Sequence, residues 1–274
     1  MLASMTKRCL ATTAWLCLAL SPDPFPAAAQ DQLEATLGAL ALDDLRARAT
    51  AGEPAAQFEL ATRYAAGRGV PGDYLEAIDW YARAAHQGHA ESQFTLGFYF
   101  DKGRGVPPDA ARAVRWYSAA ATQGYAPAQT HLGLMYAEGR GVAEDSAAAV
   151  DWFGKAAAQG HAGGQAQLGL SYLFGRGVAQ DLDETARWLA LAAEQGEPIA
   201  QFHLGNLYSS GKGVPKDLVN AYLWWDLAAA TAPLSGALRG QAARQRDAVA
   251  RQLTPAEIER ARVLIAEWWT RHPL

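Results

Sequence analysis

Cysteine is almost missing from this 274-residue chain: the two present, Cys9 and Cys17, both fall within the first twenty residues. If that segment is removed, the remainder holds no cysteine, and no disulfide can staple it even in an oxidising compartment. Stability then has to come from packing alone. Charge of one sign is equally scarce. Acidic and basic residues number 28 and 24, for a formal net charge of −4, and no long run carries one sign. This argues against nucleic acid or an anionic membrane as the main partner. The apolar stretch from Cys9 to Leu20 is well short of the ~20 residues that a membrane-spanning helix requires.

That stretch follows Lys7-Arg8 and is itself followed by a proline-containing segment ending Ala27-Ala28-Ala29-Gln30. Basic start, short apolar middle and small-residue end are the parts of a secretory signal peptide over residues 1–29, with cleavage expected after Ala29. Cys17 is preceded by Ala14-Trp15-Leu16, too bulky for the small-residue site that lipid attachment needs. The expectation is an exported protein, periplasmic or alternatively secreted, with no membrane span once the leader is gone.

Past the leader the chain keeps a fixed step. Trp80, Trp116, Trp152, Trp188 and Trp224 stand 36 residues apart, as do Gln57, Gln93, Gln129, Gln165 and Gln201, and as do the tetrapeptides from Gly67-Arg68-Gly69-Val70 to Gly211-Lys212-Gly213-Val214. A fixed period of this length marks an array of stacked units rather than one core. Five units fit, 54–89, 90–125, 126–161, 162–197 and 198–233.

Each unit reads as two helices. Gln57, Leu60, Ala61 and Tyr64 recur in later units and fall within roughly 100° of arc at helical pitch, one stripe of an amphipathic helix. Gly67 follows, where a left-handed residue commonly ends a helix. Asp73, Asp109, Asp145, Asp181 and Asp217 then stand as N-caps, each worth roughly 1 kcal/mol. The second helix carries Ala77, Trp80, Tyr81, Ala84 and Ala85 and stops at Gly88. Small and aromatic side chains at this spacing let helices approach closely while rings fill the gaps, so the tryptophans are expected in the core.

The pattern Ala-x-Ala-Gln-x-x-Leu-Gly-x-x-Tyr, Gly-x-Gly-Val, Asp, Ala-x-x-Trp-Tyr-x-x-Ala-Ala-x-x-Gly, most complete from Ala126 to Gly160, resembles the Sel1-like repeat, a relative of the tetratricopeptide repeat. The resemblance implies an all-α fold, a right-handed α-solenoid of five helix-pair repeats whose first helices line a concave groove. It further implies an adaptor in signalling, secretion or envelope processes, and no one activity.

The flanks read as caps. Leu45 and Gly52 stand 36 residues before Tyr81 and Gly88, which makes 31–52 an isolated second helix. Thr254-Pro255-Ala256-Glu257 is a capping box with proline at the first helical position, and residues 238–274 are expected to close the array with two helices.

Opposite the packed stripe of the first helices lie columns that change between units. They hold Phe58, Glu91, Phe94, Phe98, Asp101, Lys102, Leu134, Glu138, Leu170, Leu173, Phe174, Ile199, Phe202 and Asn206, more apolar than a solvated face requires. These are the candidate partner-binding residues: rings and aliphatics as anchors, charges setting register for a protein or peptide of the cell envelope. A second candidate, the ladder Arg68, Arg104, Arg140, Arg176 and Lys212, sits just past each first helix, where a cation complements the helix dipole by ~0.3–1 kcal/mol.

Signs of catalysis are sparse. The histidines His86, His89, His131, His161, His203 and His272 are scattered; His131 and His203 share a column but belong to units two apart, too distant to share an ion. No cofactor or metal site is expected. Some secreted, cysteine-rich members of the resembled family have been assigned penicillin-binding or β-lactamase activity, and a Ser-x-x-Lys match occurs at Ser209 to Lys212. No Ser-Asp-Asn or Lys-Thr-Gly accompanies it. A non-enzymatic scaffold or regulator is the reading, with a β-lactamase-like or peptidoglycan-binding envelope protein as the alternative.

Overall fold

The computed structural model describes residues 41–230 and 236–272; the expected signal peptide lies outside them. Every described element is a helix: α1, described over residues 41–50, then α2 Pro54–Ala66, α3 Tyr74–His86, α4 Ala90–Lys102, α5 Ala110–Thr122, α6 Ala126–Glu138, α7 Ser146–Ala158, α8 Ala162–Phe174, α9 Leu182–Glu194, α10 Pro198–Ser210, α11 Leu218–Ala230, α12 Gly236–Ala250 and α13 Pro255–Arg271. The expected all-α repeat architecture is what forms. The chain divides into two compact units, Met1–Ser92 and Gln93–Leu274.

Local chemistry sets each helix pair. The first helix ends on a left-handed glycine, as at Gly67 and Gly139 with φ of 65° and 63°. The chain then returns so that the cap aspartate's own N–H bonds to a carbonyl of that helix: Asp73 N to Tyr64 O at 3.0 Å, Asp145 N to Tyr136 O at 2.9 Å, Asp217 N to Tyr208 O at 2.9 Å. The aspartate side chain meanwhile accepts from the next helix's free amides, as Asp145 does from Ala148 N at 2.9 Å. One residue thereby fixes the end of one helix against the start of the next.

Buried glutamines join successive pairs. In the first unit Gln57 Nε2 donates to the Ala49 carbonyl at 3.0 Å while its Oε1 accepts from Gln87 Nε2 at 2.8 Å. In the second unit Gln129 repeats this with Ala121 O at 3.1 Å and Gln159 at 2.8 Å. Gln165 does so with Ala157 O and Gln195. Each amide therefore ties the end of the preceding second helix to the end of its own. Gln201 bonds Ala193 O at 3.2 Å, but its Oε1 has no partner; the place one period after Gln195 is Thr231, outside the described residues.

The tryptophans are a correction. Trp80, Trp116, Trp152 and Trp188 are only half-buried, and Arg83, Lys155 and Arg187 lie over three of their rings; Trp224 alone of the column is buried. The next residue along the helix fills the seam instead: Tyr81, Tyr117, Phe153, Leu189 and Trp225, all buried. Consecutive residues on a helix point about 100° apart, and the larger ring ended on the rim.

That buried column faces two first-helix positions. One holds glycine in the second unit: a Cβ on Gly133 would meet the Phe153 ring at 2.5 Å and the Ala149 carbonyl at 3.1 Å. The other, Thr62, Phe98, Leu134, Leu170 and Asn206, matches the polarity of the buried tip. Tyr81 Oη lies 3.0 Å from Thr62 Oγ1, whose own proton goes to Phe58 O, so the phenol donates. Trp225 Nε1 donates to Asn206 Oδ1 at 3.1 Å. Phe153 and Leu189 carry no polar tip and are matched by Leu134 and Leu170. Only in the second repeat does the match break: Phe98 offers nothing to Tyr117, whose fully buried hydroxyl has no partner among the described residues.

The caps close the ends. Leu42, Leu45 and Ala49 of α1 pack on Ala56, Leu60 and Val70. Thr254 and Glu257 form the expected capping box, and Trp268 of α13 buries itself against Leu189, Leu204, Trp224 and Leu227.

Three substitutions test this packing in urea titrations. Gly133→Ala, which helix propensity alone would favour by about 1 kcal/mol, should instead destabilise by about 1–3 kcal/mol through overpacking. Tyr117→Phe should stabilise by about 1–2 kcal/mol by deleting an unpaired buried hydroxyl, whereas Tyr81→Phe should cost about 1 kcal/mol.

Candidate functional site

In the first unit the expected binding residues are two. Phe58 is half-buried, its ring 5.6 Å from Tyr81 and 5.3 Å from His89. Glu91 lies exposed in the first turn of α4.

In the second unit the first helices α6, α8 and α10 touch in series, and their outer positions form a row. Leu134 is half-buried at the edge of the Ala149, Phe153, Ala157 and Leu168 cluster. Leu170, Leu173 and Ile199 flank the larger cluster around Leu189 and Leu204. Phe98 is half-buried beneath the Arg104 guanidinium at 5.4 Å. Phe174 is 54% exposed, with Arg176 at 5.3 Å over its ring and His203 edge-on at 6.1 Å. Two cations of the expected loop ladder therefore lie over two rings of the expected strip.

Other residues are committed to the fold. Phe202 is 3% exposed and packs in the core with Ala221, Trp225 and Ala228, so it is not a surface anchor. Phe94 is wedged against Tyr117, Tyr125 and His131 at 5.7, 5.5 and 5.1 Å. Their column continues through Thr130 and Ala166, both buried; it faces the seam, not solvent. Asn206 is occupied through Oδ1 by Trp225.

Asp101 is a deeply placed charge, its side chain 2% exposed and paired with Lys102 at 2.8 Å and with Arg140. Burial pushes its carboxyl up, but the hydrogen bonds and charges of Lys102 and Arg140 outweigh this and hold it below the usual value. A group depressed in the folded state contributes stability above its unfolded pKa and loses it as the pH falls through the folded one. Arg140 also pairs with exposed Glu138, so Asp101, Arg140, Glu138 and Lys102 form one chain across two repeats. Their role is partly to hold neighbouring repeats together.

Two histidines also lie on this face. His131 and His203 occupy the column one residue beyond the seam column, half-buried, with burial pushing both pKa values down. His131 Nδ1 donates to the Pro127 carbonyl at 3.0 Å, and His203 stacks edge-on to Phe202 at 5.2 Å. They extend the row as neutral aromatic surface. Their common place in the period was the visible signal. Among the described residues no group of three or more His, Cys, Asp or Glu side chains is placed to hold a metal, and no helix is long and apolar enough to cross a membrane.

Comparison with known proteins agrees with the repeat geometry. The Sel1 repeat family matches residues 54–89, 90–125, 126–161, 162–197 and 198–230. Among solved structures, a Sel1 repeat protein from Oxalobacter formigenes is 33% identical, covering 72% of this chain and 81% of that one, with a TM-score of 0.65. A protective antigen present in uropathogenic Escherichia coli strains, which displays an SLR fold, is 29% identical with a TM-score of 0.55. That match covers 82% of this chain but 55% of the antigen, so the chain spans about half its length. No curated protein matches the sequence. Sel1 repeats generally serve as non-catalytic, protein-interacting scaffolds, and with five of them matched across most of its length, this chain belongs to the Sel1 repeat family.

Proposed function

We propose that this chain is a non-enzymatic adaptor that binds a polypeptide of the bacterial cell envelope along the outer row of its first helices. The observation that carries the reading is Phe174, more than half exposed yet placed among cationic and aromatic neighbours that would hold a second ring or an acidic side chain. Phe98 under Arg104 offers the same arrangement on α4, and Leu134 and Leu170 supply apolar surface. Lys102 and Glu138, exposed at helix ends, set register. Export of the mature chain from near Gln30 places it with such a partner.

The test is crosslinking in intact cells, identification of the captured protein, and titration of the purified pair. Phe174→Ala and Phe98→Ala should each weaken binding about thirtyfold, the ~2 kcal/mol typical of a desolvated anchor, while Arg262→Ala, at an exposed position of α13, leaves it unchanged. Equal affinity for all three variants would contradict the reading. The mass of the mature protein, with its N-terminus near Gln30, checks the export step.

A further inference from the structure

Away from that row, the second unit holds a cavity of about 400 Å³ between the last turn of α10, the loop that follows it, α11 and α12. Its size falls at the lower end of the ~300–1,000 Å³ of small-ligand pockets. Trp225 and Val249 form the apolar part of the wall, while Asn206, Ser209, Gln245 and Lys216 bring the polar groups.

The polar groups are not satisfied among themselves. Gln245 Oε1 is buried and has no hydrogen-bond partner among the described residues, an acceptor that native interiors rarely leave open without a ligand or water. Asn206 has its oxygen fixed by the Trp225 indole N–H at 3.1 Å, which leaves the amide nitrogen as its donor end. Lys216 makes no ion pair among the described residues. The adjacent Asp217 is spent on Val219 N, Asn220 N and Asn220 Nδ2 and does not line the space. No carboxylate does. Leu218, the first residue of α11, is part of the wall, but Asp217 caps that helix end, so the positive charge at the cavity is the Lys216 ammonium.

A ligand complementary to this lining is an anion that also donates an N–H and carries an apolar group. The wall has no carboxylate to pair an ammonium, which favours an amino acid acylated on nitrogen over a free one. We propose that the cavity binds the C-terminal residue of a peptide: carboxylate on Lys216 Nζ and Asn206 Nδ2, amide N–H to Gln245 Oε1, side chain against Trp225 and Val249. The site is separate from the Phe98 to Phe174 row and stands or falls independently of it.

The probes are N-acetylated tripeptides ending in Ala, Leu or Phe, each as the free acid and as the C-terminal amide, titrated into the chain while the Trp225 indole N–H resonance is followed. The acids should shift that resonance and bind at least tenfold more tightly than the amides. Lys216→Gln should remove that difference by weakening the acids alone. Gln245→Leu should lose binding of the acids while keeping or raising thermal stability, since it deletes an orphaned acceptor. Three results would overturn the proposal: no acid shifts the resonance, acid and amide bind equally, or a disaccharide of a uronic acid and an N-acetylhexosamine displaces the peptides and binds more tightly than any of them.

Discussion

The interaction on which the rest of the structure depends is the buried glutamine that bonds two second helices at once. An α-helical repeat has no sheet ladder to fix its register, and a seam of alanine and aromatic side chains is slippery, because apolar contact carries little directional information. The carboxamide of Gln129 supplies the direction. Its N–H end reaches the Ala121 carbonyl and its oxygen takes the Gln159 amide, so translation of one pair against the next by a single residue would leave two buried groups unpaired. Each such loss costs about 1–3 kcal/mol, more than apolar repacking would return. Register is thus held by the penalty for breaking it.

With register fixed, each repeat is free to vary only in matched sets. Thr62 with Tyr81 and Asn206 with Trp225 join polar to polar, and Leu134 with Phe153 joins apolar to apolar. A column that changes from unit to unit is therefore not automatically a recognition column; part of its variation records what stands behind it. The exposed members, above all Phe174, are those whose identity no internal neighbour demands. The last repeat departs furthest: its seam is sealed by Trp225, α12 and α13 in place of a sixth repeat, and the cavity beside Gln245 arises where this different closure meets the ordinary helix pair.

Most of the fold was legible because the period of 36 residues repeats every punctuation mark. Gly67 and Asp73 end and begin helices in the structure as their chemistry requires, and the box at Thr254 caps α13. What periodicity does not resolve is direction to within one residue. Trp152 and Phe153 are both aromatic and adjacent, and nothing local says which enters the seam. The same 100° ambiguity put Phe202, which is core, among the surface candidates and left His203, beside it, off the row. The Asp101 to Arg140 pair spans 39 residues, out of phase with the repeat, and so leaves no periodic trace. The cavity at Gln245 lies where the fifth repeat meets α12, and Gln245 and Val249 stand outside the period, where pattern has no purchase.

Amide hydrogen exchange on Gln165→Leu would test the central account most directly. Gln165 bonds both Ala157 of α7 and Gln195 at the end of α9. If the glutamine holds neighbouring pairs in register, exchange should accelerate in the last turns of both α7 and α9, on the two sides of the seam, while α12 and α13 keep their protection. Unchanged protection at both ends, or loosening spread evenly over the whole chain, would contradict it.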